Sequence, residues 1–89
     1  MRLAETDIHD ILTRLRRVEG QIRGIQGMLD EGRDCSDVIT QFSASMSALQ
    51  QAGYKFFAAT MAVCARDPEQ AALDGYDQER LEKLFMQLT

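Results

Sequence analysis

Thiolates act as nucleophiles, soft-metal ligands and redox centres, and this chain of 89 residues carries two thiols, Cys35 and Cys64. Asp34, with Asp37 three residues on, reads as a helix cap followed by an acidic first turn, which places Cys35 at a helix start. Backbone N–H groups there favour a thiolate, and Arg33 adds positive charge nearby. Two ordinary buried cysteines are the alternative, since Cys is among the most buried residue types. The helix-start position of Cys35 counts against it.

The cysteines stand 29 residues apart in what reads as one helix. At 100° per residue both sulfurs fall on the same face, but roughly 43 Å apart along the axis. A disulfide tolerates a Cα separation of only about 7 Å, so the two cannot pair within one chain. Two antiparallel copies of the helix would set Cys35 of one chain beside Cys64 of the other, twice per dimer.

The elements that must position these thiols read as helices. The chain has no Trp and a single proline, Pro68, so it lacks the turn punctuation of an all-β fold. A first helix is expected over about 6–31, with Thr6 as cap and Ile8, Ile11, Leu12, Leu15, Val18, Ile22, Ile25 and Leu29 as its apolar positions. Gly32 then ends it. The second spans about 35–65 and stops before Asp67-Pro68. Its apolar face carries Ile39, Phe42, Met46, Leu49, Phe56 and Phe57, and Ala44, Ser45, Ala48, Ala52, Ala58 and Ala59 permit close helix approach. Residues 69–76 read as a linker, and about 77–88 as a short third helix on Leu81, Leu84, Phe85 and Leu88. The expected fold is a single all-α domain of three helices, whose second helix, about 45 Å long, needs a partner chain to cover it. Gly20 and Gly24 inside the first helix point to a close approach, and the methionines read as core filler.

Net charge is −4, but the acidity is C-terminal: 67–89 hold six acids against Arg80 and Lys83. In the balanced remainder, Arg14, Arg16, Arg17 and Arg23 face only Glu19 over ten residues, a basic stripe suited to phosphate. No apolar run approaches a membrane span, and the amino terminus from Met1 to Asp7 shows no leader pattern, so a cytoplasmic protein is expected. No His or other general-base partner sits in sequence near either cysteine, with Asp34 read as a helix cap, which argues against a thiol enzyme.

The run from Leu12 to Ile25 (LTRLRRVEGQIRGI), followed by Cys35 to Ala44 (CSDVITQFSA), resembles the copper-sensitive operon repressor family, CsoR with its RcnR and FrmR relatives. The resemblance covers about residues 8–66. It implies a bacterial DNA-binding repressor of antiparallel dimers assembled into a disc-shaped tetramer, with its inducer site between subunits. It also implies operator contact through Arg14, Arg16, Arg17 and Arg23, with Gln21 and with Lys55 of the second helix. With no helix-turn-helix signature, such contact would rest on phosphates and DNA shape.

In copper-sensing members the ligands follow a Cys, His, Cys pattern that matches Cys35, position 60 and Cys64. This chain has Thr60, whose hydroxyl is a poor ligand for soft monovalent copper. The Tyr often found before the first Cys is replaced by Asp34. Two cysteines without the His resemble the persulfide-sensing, CstR-like branch, in which inter-subunit thiols react with sulfane sulfur. That resemblance implies no cofactor and no bound metal, with persulfides as inducers acting on Cys35 and Cys64. A copper(I)-responsive repressor using the same two thiolates is the alternative. Arg2 stands where formaldehyde sensors have Pro, and His9 alone does not restore a nickel or cobalt site.

Overall fold

The computed structural model describes residues 2–89; Met1, part of the amino-terminal stretch read above, lies outside them. Four helices follow in order: α1 Glu5–Asp30, α2 Cys35–Arg66, α3 Pro68–Leu73 and α4 Gln78–Leu88. The first two form a long antiparallel hairpin. The molecule measures 54 × 25 × 13 Å with a radius of gyration of 17.0 Å, against about 12 Å for a compact domain of this length.

The hairpin turn follows from two residues. Gly32 adopts φ +68°, the left-handed conformation that ends helices, and Arg33 N–H returns to the Met28 carbonyl at 3.0 Å. Asp34 then caps α2 by accepting from the backbone N–H of Ser36 at 3.1 Å. At the other end α1 begins at Glu5 with Ala4 in the cap position and no side-chain cap bond, so the expected cap at Thr6 is not used.

Along the hairpin the buried positions recur every seven residues. Ile11, Val18 and Ile25 of α1 meet a series on α2 of Val38, Ser45, Ala52 and Ala59. This is the spacing of a coiled-coil seam, and the small residues of α2 let the helices close together. Ser45 sits in the seam at no polar cost, because its hydroxyl donates to the Gln41 carbonyl at 2.8 Å. The large apolar residues of the α2 face expected to need a partner chain are not covered within this one: Ile39, Phe42, Met46, Leu49 and Phe56 are exposed, and Phe57 is half-buried. The methionines do not act as core filler, with Met46, Met61 and Met86 exposed. Gly20 and Gly24 have nothing within 4 Å of an added Cβ, so the close approach expected there does not occur within the chain.

Helix α3 occupies the segment expected to be a linker. Asp67 caps it by accepting from Gln70 N–H at 3.2 Å, and Pro68 fills the first turn, where its missing N–H costs nothing. Gly75, at φ +87°, turns the chain into α4, capped by Asp77 through Arg80 N–H at 2.9 Å. Helix α4 then lies along α2: the Gln50 side chain donates to the Leu88 carbonyl at 3.1 Å, and Leu88 packs over Gly53. Among the described residues no helix is long and apolar enough to cross a membrane.

Candidate thiol site and basic face

Cys35 is the first residue of α2 and is exposed. Its surroundings are set by the cap. The Asp34 carboxylate accepts from both the hydroxyl and the backbone N–H of Ser36, and these bonds hold its carboxyl below the ordinary value of 3.8, the hydroxyl contributing most. Arg33, expected to favour the Cys35 thiolate, is drawn instead between two carboxylates, Glu31 and Asp37, each at 3.9 Å. Cations beside Cys35 are thus matched by acids.

Cys64 lies in a different environment. It is buried near the far end of α2, in a cluster with Ala71 of α3 and Leu81 of α4, against which the half-buried Phe57 and Tyr76 pack. One turn before it, Thr60 is 6% exposed and its hydroxyl has no hydrogen-bond partner. An unpaired buried hydroxyl costs about 1–3 kcal/mol, so Thr60 is held there against a local penalty.

Because α2 is one continuous helix of 32 residues, a single chain does not bring Cys35 and Cys64 together. Among the described residues no group of three His, Cys, Asp or Glu side chains could hold a metal ion. The thiolates suit soft copper(I), but one chain offers them singly, with Thr60 where an imidazole would add a third donor. Chemistry that uses both thiols therefore needs a second copy of the chain.

The basic residues divide between two surfaces. Arg14, Arg17 and Gln21 flank the α1 seam on one side, with Arg14 and Gln21 half-buried, whereas the exposed Arg16 and Arg23 point away from the hairpin. Arg14 Nε pairs with Asp10 at 3.3 Å, and Arg23 reaches Glu19 at 3.7 Å. Lys55 of α2 joins Arg14 in an open cleft of about 470 Å³ completed by Gln51, Tyr54 and Ala58. Gln51 and Tyr54 were not legible as site residues, because only the packing of α1 on α2 places them beside Arg14. The Gln21 side-chain oxygen is buried without a partner.

Three comparisons bear on this arrangement. A family model described as "Metal-sensitive transcriptional repressor" matches residues 7–88. The copper-sensing transcriptional repressor RicR of Mycobacterium tuberculosis is 62% identical over 37 residues, which are 42% of this chain and 38% of that protein. The copper-sensing repressor CsoR of the same organism is 36% identical over 74 residues, 83% of this chain and 60% of that protein. CsoR of Bacillus subtilis is 48% identical over 40 residues, 45% and 40% of the two chains. The matched segments thus span less than two thirds of these relatives. Among solved structures, the copper-sensing repressor CsoR with Cu(I) from Geobacillus thermodenitrificans superposes with a TM-score of 0.78 at 30% identity, covering 98% of this chain and 91% of that one.

Proposed function

Starting from a chain that belongs to the metal-sensitive transcriptional repressor family, we propose an operator-binding repressor that lets go of DNA when Cys35 and Cys64 of neighbouring subunits are joined by reactive sulfur. The observation that carries this reading is Thr60: beside the buried Cys64 it offers a hydroxyl with no partner and no soft donor. Removing the third ligand leaves a pair of thiols, and thiol pairs do redox chemistry.

The steps balance without a metal. The exposed Cys35 thiolate attacks the outer sulfur of an organic persulfide; that S–S bond breaks, the thiolate of the donor leaves, and Cys35 carries a persulfide. The Cys64 thiolate of the partner subunit then attacks the inner sulfur and expels hydrosulfide. Two thiolates are oxidised to a disulfide, and the sulfane sulfur is reduced to sulfide. Insertion of a further sulfane sulfur would give a trisulfide. The bridge fixes two α2 helices in one relative position and so biases the basic faces away from operator spacing.

Mass spectrometry of the reduced protein after treatment with cysteine persulfide, beside glutathione disulfide, hydrogen peroxide and copper(I), tests this. Cross-linked dimers that form with persulfide and coincide with loss of operator binding support it. Thiols that stay reduced under persulfide while copper(I) alone releases DNA overturn it.

That second outcome is the copper(I) reading, which has its own support. RicR and CsoR are named copper-sensing, and two thiolates can bind copper(I) without a third donor. On either reading the residues proposed to meet the operator are Arg14, Arg16, Arg17, Gln21, Arg23 and Lys55, and the working form is a dimer of dimers.

A further inference from the structure

Tyr54 lies between two features that the repressor reading leaves unconnected. On one side it lines the cleft with Arg14, Lys55 and Gln51. On the other its ring packs on Phe85 of α4, centroid to centroid 6.1 Å, and Phe85 in turn packs on Phe57 at 5.2 Å. Phe57 rests against the cluster that encloses Cys64. Three rings therefore run in series from the cluster that holds the buried thiol to the basic cleft, and the middle one belongs to α4.

The cleft has the chemistry of a phosphate seat. Arg14 is oriented by its Asp10 bond at 3.3 Å, which engages Nε and leaves its other N–H groups available. Lys55 supplies a second charge, and a phenol can donate to a phosphate oxygen. Helix α4 is tied to α2 at Leu88, far from Cys64, while Leu81 of the same helix shares the buried cluster of Cys64. Chemistry at Cys64 would enlarge a group in the cluster shared with Leu81 and Phe57, and such a change would displace α4 and, with it, Phe85.

We propose that Tyr54 contacts an operator phosphate beside Arg14 and Lys55, and that the ring series Phe57, Phe85, Tyr54 is the route by which a change at Cys64 withdraws that contact. The proposal rests on the repressor reading but not on which inducer acts. It needs only that Cys64 be modified or metallated.

Operator titrations of the reduced full-length protein, before and after cysteine persulfide and separately copper(I), test both halves. Tyr54→Phe keeps the ring and loses the donor; operator affinity falls about tenfold while the slope of log K against log salt is unchanged. Lys55→Gln, by contrast, lowers the slope by about one per engaged copy. Phe85→Leu keeps apolar bulk without the ring. The wild-type loss of affinity on inducer treatment, expected within about 5–150-fold, shrinks to under threefold in this variant. Because a ratio is read, a weaker reduced form does not obscure the result, and Phe85→Met serves if the leucine variant does not fold. Tyr54→Phe binding like wild type, or Phe85→Leu releasing as fully as wild type, overturns the proposal alone. A wild-type protein that binds no duplex at any salt overturns the repressor reading, and the proposal with it.

Discussion

Thr60 is the residue on which the proposed chemistry turns, and its environment makes separable predictions. A buried hydroxyl without a partner opposes folding, so Thr60→Val, which keeps the shape and removes the polarity, stabilises the protein by about 1 kcal/mol in urea denaturation. Thr60→His places an imidazole one turn from Cys64 and should tighten copper(I) binding at least tenfold in competition with a chelator. No change there would mean that position 60 does not face the inducer site. Asp34 supplies a pH signature. Its carboxyl is held below 3.8 in the folded chain, so the folded state favours the ionised form. The unfolded chain binds more protons in that window. The cap's contribution is therefore complete above 3.8 and disappears as pH falls through the folded value. Asp34→Asn should flatten the acid limb of the stability profile below pH 4, measured by circular dichroism.

At the scale of the element, the sequence carried the helices with more fidelity than their faces. Gly32, Asp34, Asp67 and Asp77 marked the ends where they lie, since turn and cap chemistry is local. Residues 69–76 read as a linker, yet α3 forms there, and Asp67-Pro68-Glu69 is itself a helix-start pattern. Six residues are too few to show an apolar stripe, and the packing of Ala71 in the cluster with Cys64 adds a tertiary stabilisation that local pattern does not reveal. Periodicity finds apolar residues without ranking which partner they meet, so it does not say which of them face α1. Small residues at 45, 52 and 59 took the place beside α1, and the large ones were left outside. The candidate residues Cys35, Cys64 and Thr60 can be named from the sequence, but the surroundings of Cys64 cannot, because Leu81 and Tyr76 come from later segments of the chain. Helix α1 also sharpens the question of its glycines. With open space at Gly20 and Gly24, alanine should stabilise each position by about 1 kcal/mol in thermal unfolding. If Gly20→Ala is more stable yet binds operator more weakly, the glycine serves an approach by DNA or a second chain.

At the scale of the whole molecule, no large side chain among the described residues is fully buried, while Leu29, Ile39, Met46, Leu49 and Phe56 are each more than half exposed. So much exposed apolar surface on 89 residues marks an association surface. Apparent Tm should then rise with protein concentration, and Phe42→Glu should abolish that rise and give a monomer by sedimentation. A concentration-independent Tm would remove the case for an obligate oligomer.

The thickness of 13 Å has one more consequence. The chain is a flat body whose interior is confined to the α1–α2 seam and the cluster around Cys64, so most of each broad surface faces outward. Whatever seals one surface does so from outside. If copies of the chain seal those surfaces, folding and association are coupled, and dilution would act on this protein as a denaturant does on others.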